Sequence, residues 1–287
     1  MSIRALKTAI VTCLLVLGST SAFAENPLIS GYVEAKGMGT VDMSKTVNKI
    51  QAKLLAKRAA KVDAQRNLLE EIDGVRVTSG TTVKDAQLES DIIANRVKGL
   101  LKGAFVVDDS VTSEDGDLLA EVTLGICVTR KPPQCHQRST LSQVIYDSIK
   151  KPKVTEVLTA ATDKSDTAQQ QNNGANASAT GLVIDATGID FAPGLDARVV
   201  NTEGKEVYGA AQFDIASGGD WLHWAKSIDE AVANADVVGP HPMVVKATAA
   251  MDGSKAVISD TDATRAFYAN RANGNFFSKG KVTFVVR

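Results

Sequence analysis

The longest run of helix-forming residues constrains most strongly how this chain can fold. From Ser44 to Asp73 the sequence contains neither Gly nor Pro, and Gly74 follows directly. Such a run predicts one helix of about 30 residues that ends at the glycine. A helix this long must bury one side, so the surrounding segments are expected to fold against it.

Two sides of this helix compete for the buried position. At about 100° per residue, one side is aliphatic, and we expect it to be buried. Basic and polar residues interrupt that side, while the middle of the helix also carries small residues that would let a sheet approach closely, so the choice stays open there. The aliphatic side consists of Val47, Ile50, Leu54, Val62, Leu69 and Ile72; the interruptions are Arg58, Lys61 and Gln65; the small residues are Ala56, Ala59, Ala60 and Ala64.

A basic stripe runs along the first half of the same helix. Lys49, Lys53, Lys57 and Lys61 recur every four residues, although like charges at this spacing destabilise a helix. The acidic residues lie at the other end, which opposes the helix dipole. Together with Arg58, these lysines are candidate contacts for an anionic partner; the alternative is an ordinary solvated face.

The remainder of the first half predicts one compact α/β unit. Leu28–Val41 is typical of an edge strand, and Val75–Val83 of a further strand. Residues 89–102 predict a second helix, and 104–112 with 118–128 predict a hairpin around Asp115-Gly116. The expected order is β-α-β-α-β-β.

This half also resembles a known family. The helix carries Arg58, Lys61-Val62-Asp63-Ala64 and Arg66, which approach the pattern R-x-x-A-x-x-D-A-x-R with the first arginine one residue out of register, and G-V-x-V follows at Gly74 to Val77. With the segments RVKGLLKGAFVV and EDGDLLAEVTLGI, it resembles the small bacterial lipoproteins of the twenty-kilodalton LPP type and the N-terminal domain of flagellar assembly protein T. The resemblance implies an envelope-associated binding domain without enzymatic residues.

The N-terminus predicts export. Arg4 and Lys7 precede the apolar run from Ala9 to Leu17, and Ala22-Phe23-Ala24 is a pattern that signal peptidase accepts. We therefore expect a signal peptide at residues 1–24 that is cleaved after Ala24, and a periplasmic protein. Cys13 lies inside the apolar run and Glu25, not a cysteine, directly follows the cleavage site, so we expect no lipid anchor, and no later apolar run predicts a transmembrane segment.

Two cysteines remain after that cleavage, Cys127 and Cys135, with Pro132-Pro133 between them. In an oxidising compartment we expect a disulfide, because the prolines turn the chain back on itself. Loss of the signal peptide changes the formal charge from −1 to −3, which does not fit a nucleic-acid-binding protein.

The second half is predicted to be a separate α+β domain. Residues 25–150 form the first domain, 151–180 a polar linker rich in Gln, Asn, Ala and Ser, and 181–287 the second domain. The fold class is therefore α+β: two domains, each with a small mixed or antiparallel sheet packed with helices, joined by a flexible linker. Strands are expected in 181–188, 195–209, 242–250, 255–260 and 280–287, and helices in 227–235 and 260–273.

Candidate binding residues in this half are few. Trp221 and Trp224 form an aromatic cluster, and we expect one ring to be buried and the other partly exposed for a partner. The histidines His136, His223 and His241 have no second ligand at metal spacing, so we predict neither a metal nor a cofactor site. No catalytic residues are predicted either.

These features favour a non-enzymatic periplasmic adaptor that binds envelope or flagellar proteins and acts in flagellar or cell-surface assembly. The alternative is a periplasmic protein that binds a small ligand in a cleft between its domains. An enzyme, which would need converging acid, base or nucleophile groups, ranks last.

Overall fold

The computed structural model describes residues 26–45, 48–114, 117–149 and 178–287. The predicted signal peptide and most of the predicted linker, residues 151–177, lie outside these ranges. So do Val47 and the Asp115-Gly116 turn.

The first unit, residues 26–149, is a three-stranded antiparallel sheet with a long helix on one face. Its hairpin and both main helices are confirmed, although the longer helix has 25 residues and begins at Lys49 instead of Ser44. The strands are β1 (Tyr32–Asp42), β2 (Phe105–Glu114) and β3 (Asp117–Cys127), in the order β1-β3-β2. The helices are α1 (Pro27–Ser30), α2 (Lys49–Asp73), α3 (Val83–Glu89), α4 (Asp91–Lys102) and α5 (Leu141–Ile149).

The side of α2 that packs on the sheet is a row of mostly small residues spaced by four. We call it the inner row: Ala52, Ala56, Ala60, Ala64, Leu68 and Ile72, all fully buried. The prediction of an aliphatic buried side is right for Ile72. It is wrong for Ile50, Leu54 and Val62, which are exposed.

The inner row lies directly on two glycines of β1. A Cβ atom added to Gly37 would overlap the backbone of Ala60 and Ala64, and one added to Gly39 would overlap the backbone of Ala56 and Ala60. Helix and strand backbones are therefore in contact without intervening side chains. Leucine or isoleucine at these positions would hold the helix away from the sheet, so small residues occupy the buried side.

Projecting the sequence at 100° per residue onto one straight side of the helix did not reveal the inner row. Residues four apart advance about 40° around a helix, so the inner row winds around the axis by roughly 200° from Ala52 to Ile72. A projection onto one straight side mixes it with neighbouring rows. The spacing by four, together with Gly37 and Gly39, is the signal that could have identified it.

The strand predicted at Val75–Val83 does not join the sheet. Arg76 and Thr82 form an isolated bridge, and α3 begins at Val83. The carbonyl oxygens of Arg76 and Val77 instead accept hydrogen bonds from the amides of Leu195 and Asp196, at 2.9 and 2.7 Å. The segment is thus connected to the second unit by two backbone hydrogen bonds.

The second unit, residues 178–287, contains two four-stranded sheets. A parallel sheet has the order β7-β11-β4-β8 and a mixed sheet the order β6-β5-β10-β9. The strands are β4 (Leu182–Asp185), β5 (Arg198–Val200), β6 (Glu206–Tyr208), β7 (His223–Ala225), β8 (Met243–Lys246), β9 (Ala249–Met251), β10 (Lys255–Val257) and β11 (Val282–Val285). The helices are α6 (Ile228–Ala233), α7 (Ala235–Val238) and α8 (Asp260–Ala272).

Every predicted strand segment of the second unit contains a strand, and the α8 prediction is confirmed, with the Ser259 hydroxyl accepting from the Asp262 amide at 3.0 Å. β7 was not predicted, because three residues are too few for a pattern. The passage of residues 243–251 from one sheet to the other was not predicted either. The expected single helix near residue 230 is two short ones.

The fold is thus α+β, as predicted, with more than one domain. One continuous buried cluster contains residues of both units. Within the described ranges, none of the helices combines the length and the apolar character needed to cross a membrane.

Candidate functional site

The side of α2 that faces away from the sheet exposes aliphatic side chains. We call it the outer row: Ile50, Leu54, Arg58, Val62 and Arg66, about 160° around the helix from the inner row. Ile50 is 75% exposed, Leu54 59% and Val62 60%. Leu55, next to this row, is 41% exposed. Exposed aliphatic residues that adjoin one another on a single helix are typical of an interaction surface.

The predicted lysine stripe lies beside the outer row. Lys57 forms an ion pair with Asp109 of β2, so its charge is neutralised by the sheet. Lys49, Lys53 and Lys61 are exposed, and no ion pair of theirs occurs within the described ranges. The structure thus brings together three lysines, the two arginines of the outer row and the exposed aliphatics on one helix. Arg58, the other predicted contact, is exposed in the middle of this surface.

Both tryptophans are buried, and the expectation of one partly exposed ring is wrong. Trp221 is 2% exposed and Trp224 3%. The Trp224 ring packs against Phe284 and Phe191, with centroids 5.3 and 6.1 Å away. The cause is β7, which directs Trp224 into the core of the second unit, so neither ring is accessible to a partner.

The predicted disulfide joins Cys127 to Cys135, with Cα atoms 5.6 Å apart. It closes a loop that contacts the second unit. The Arg130 amide donates to the Asp220 carboxylate, and Arg130 Nη1 donates to the Gly218 carbonyl at 2.8 Å. Because the disulfide fixes both ends of this loop, it also fixes the contact between the units.

Further contacts join α5 to the second unit. The buried Asp220 carboxylate accepts from Ser142 Oγ at 3.0 Å. The Tyr146 hydroxyl donates to the Phe213 carbonyl at 2.7 Å, and the two rings meet edge to face. Arg198 Nη2 donates to the Ile149 carbonyl at 3.0 Å, at the end of α5. The last helix of the first unit is therefore anchored along its length.

A cleft of about 380 Å³ lies beside this contact, between the disulfide loop and the helices α6 and α7. His223 and Thr283, register neighbours on β7 and β11, line it. The hydroxyl of the buried Thr283 makes no hydrogen bond with any described residue. Lys131 Nζ closes one side, donating to the carbonyls of Ile29 and Trp224 at 3.2 Å.

Burial lowers the pKa of His223 below its usual 6.5, although the neighbouring Asp220 opposes the shift. The ring is therefore neutral at pH 7. Its Nε2 lies 2.9 Å from the Asp220 carbonyl and donates to it in the tautomer that this contact requires. Nδ1 is then a hydrogen-bond acceptor, which can receive a donor from a ligand in the cleft.

The described residues contain no group of three or more His, Cys, Asp or Glu side chains arranged to hold a metal ion. His136 and His223 line the same cleft, but no third such ligand joins them. His241 lies elsewhere, where its amide donates to the Thr180 hydroxyl.

Comparison with known proteins concerns the second unit. Residues 181–287 match the family model described as Treponema pallidum Tp0624, second domain. This match covers less than half of the chain, so it shows what the second unit is similar to. No curated protein matches the chain. The resemblance of the first unit to LPP-type lipoproteins and flagellar assembly protein T stays a prediction.

Proposed function

We propose that the chain is an exported envelope adaptor that binds another protein through the outward side of α2. The single observation that carries the proposal is the outer row, where Ile50, Leu54 and Val62 are exposed. Beside them lie Lys49, Lys53 and Lys61, which form no ion pair with the residues that the structure describes. The partner is an envelope protein with an acidic surface around an apolar groove. Flagellar and cell-surface assemblies are the setting that the sequence resemblance suggests.

The chemistry of the surface supports a protein partner. Aliphatic side chains supply the non-polar contact area that drives association, and surrounding charges set the orientation and the association rate. The lysines at i, i+4 cost helix stability, and an anionic partner would offset that cost when it binds. A partner that approaches α2 meets the aliphatics and the cations together.

Site-specific photocrosslinking in the native envelope tests the proposal. A photoreactive residue at Leu54 or Val62 is expected to capture one acidic partner, whereas one at Leu88, which is 80% exposed on α3, captures none. Changing Lys49, Lys53 and Lys61 to Gln should remove the crosslink. Changing Lys84, Lys98 and Lys102 to Gln is the control with equal charge and should leave it. Equal capture at Leu54 and Leu88 would refute a role for α2.

The interdomain cleft favours a second candidate function, the binding of a small polar ligand. The observation behind it is Thr283, a mostly buried residue that lines the cleft next to the neutral His223 ring and whose hydroxyl forms no hydrogen bond with the described residues. Thr283→Val keeps the shape and removes the hydroxyl. A metabolite that raises the melting temperature of the native protein and not of Thr283→Val would support this function. If every metabolite that stabilises the protein acts equally on both, the cleft is not the binding site.

A further inference from the structure

A second groove lies wholly within the first unit, and we call it the arginine groove. It has a volume of about 480 Å³, in the range of pockets that hold small molecules. It runs between α4, the first residue of β2, the end of β3 and the segment that follows the disulfide. The described residues that line it are Arg96, Gly99, Leu100, Gly103, Phe105, Gly125, Ile126, Cys127, Gln137, Arg138, Ser139 and Val144.

The groove has apolar walls. Leu100, Phe105, Ile126 and Val144 contribute hydrocarbon or aromatic surface. The Phe105 ring lies against the backbone of Gly125, where an added Cβ would be 2.7 Å from the ring. The strand has a glycine there, which lets the ring lie close to the backbone and form one wall of the groove.

Arg138 is held in place at the rim. Its guanidinium carbon lies 4.4 Å from the centroid of the Phe105 ring, and its Nε donates to the Gln134 carbonyl at 3.0 Å. Neither terminal nitrogen has a partner within the described ranges. A guanidinium oriented by stacking and by Nε loses little freedom when Nη1 and Nη2 bind an oxyanion.

The charged residues that line the groove are of one sign. Arg96 is the second cation of the lining, and it pairs with Asp147, outside the lining, at 2.8 Å. None of the described lining residues is acidic. The Cys127–Cys135 disulfide ties the segment that carries Arg138 to the floor of the groove. The groove is thus apolar inside and cationic at its rim.

We propose that the arginine groove binds a small amphipathic anion, with a carboxylate or phosphate head at Arg138 and an apolar chain between Phe105 and Leu100. This proposal is independent of the adaptor function. The competing occupant would be an extended peptide added to the outer edge of β2. A β-bulge between Val106 and Asp108, followed by the charge of Asp109, disfavours strand addition at that edge.

Calorimetry with ten-carbon probes below their micelle concentrations tests the proposal. Decanoate and decyl phosphate carry the two candidate heads, decanol has none, and decyltrimethylammonium has the opposite charge. We expect one or both anions to bind the native full-length protein at least about tenfold more tightly than decanol, because a charge-assisted hydrogen bond is lost in the alcohol. Equal affinity for decanol or for the cation would overturn the proposal.

Three variants locate the binding. Arg138→Gln should lower the affinity for decanoate by about tenfold or more. Arg271→Gln, which changes an exposed arginine on α8, should leave this affinity unchanged. Gly99→Leu should abolish binding by filling the groove, since a Cβ at Gly99 meets no atom within 4 Å and the variant can fold without a clash. Unchanged binding in Arg138→Gln and Gly99→Leu would place the ligand elsewhere.

Hydrogen exchange distinguishes an amphipathic anion in the groove from a peptide strand added to the edge of β2. A ligand in the groove should protect amides from residue 99 to 105. Protection of 108–114 along the outer edge of β2 would instead indicate strand addition and overturn the proposal.

Discussion

The cores of the two units are packed in opposite ways, one with very small residues and the other with large rings. In the first, the central contact joins alanines of α2 to Gly37 and Gly39, and the backbones touch. In the second, large rings fill the space over the parallel sheet, among them Trp224, Phe284 and Phe191. The first unit therefore should tolerate no added atoms at its centre, and the second should tolerate no removed ones.

Removal of a ring should have the largest effect. Phe284→Ala is expected to lower the free energy of unfolding by about 3–5 kcal/mol, because the fully buried ring leaves a cavity that its stacked neighbours cannot fill. Chemical denaturation measures the change. Tyr268→Ala removes a ring that is 42% exposed and should cost much less. Equal losses would mean that the rings do not dominate the second unit.

Addition of one methyl group should have the next largest effect. Gly37→Ala places a Cβ inside the backbone of α2 and is expected to destabilise the protein by about 3 kcal/mol, the upper end for overpacking. Gly80→Ala is the matched control, since its Cβ would meet no atom within 4 Å. The control should be neutral or slightly stabilising. If Gly37→Ala behaves like Gly80→Ala, the close helix-strand contact is not the basis of this unit.

Loss of the disulfide tests whether the two units are independent. Cys135→Ala should cost about 2–3 kcal/mol under oxidising conditions, through loop entropy and through a looser contact at Arg130. In reductant, the variant and the native protein should unfold alike. Hydrogen exchange in the second unit should rise in the variant; exchange confined to residues 127–135 would mean that the units do not support each other.

A fall in pH should lower the stability of the second unit through the protonation of His223. Burial lowers the pKa of His223, so the unfolded chain takes up a proton at a higher pH than the folded one. Stability from this group is complete above about pH 6.5, the usual value for histidine, and is lost as the pH falls through the folded pKa. His223→Gln should flatten the dependence of the melting temperature on pH below 6.5. An unchanged slope in this variant would contradict the prediction.

The smallest change in stability is expected on the outer row. Leu54→Ser should alter the free energy of unfolding by no more than about 0.5 kcal/mol, because the side chain is 59% exposed. Leu68→Ser, on the inner row of the same helix, should cost several times more. If Leu54→Ser is as harmful, the outer row packs against something within the protein and is unavailable to a partner.

Much of the fold could be predicted from the sequence, because helix length, turns and alternation are local properties. The C-terminal end of α2 follows from Gly74, the start of α8 from Ser259, and the disulfide from the spacing of Cys127 and Cys135. The buried side of α2 could not be predicted from apolar content. Close packing of the helix backbone on Gly37 favoured small residues over the larger apolar side chains of Ile50 and Leu54. Tertiary contact decided it.

The candidate sites were predicted less completely. The lysine stripe follows from its spacing, but the pairing of Lys57 with Asp109 joins residues far apart in sequence. One ring of the tryptophan cluster was expected to be partly exposed, because β7 has only three residues and could not be recognised as a strand. The arginine groove escaped the sequence analysis because Arg96, Phe105 and Arg138 come together only when the disulfide folds the chain back.

The inner row also limits how the gene for this protein can change. Substitutions on the exposed rows leave the helix-strand contact intact, but the insertion or deletion of one codon between Ala52 and Ile72 would turn the rest of the helix by about 100°. A lysine or an aspartate would then face Gly37 and Gly39 in place of alanine. We therefore expect related sequences to differ in the residues of α2 and to keep the number of residues in this helix constant.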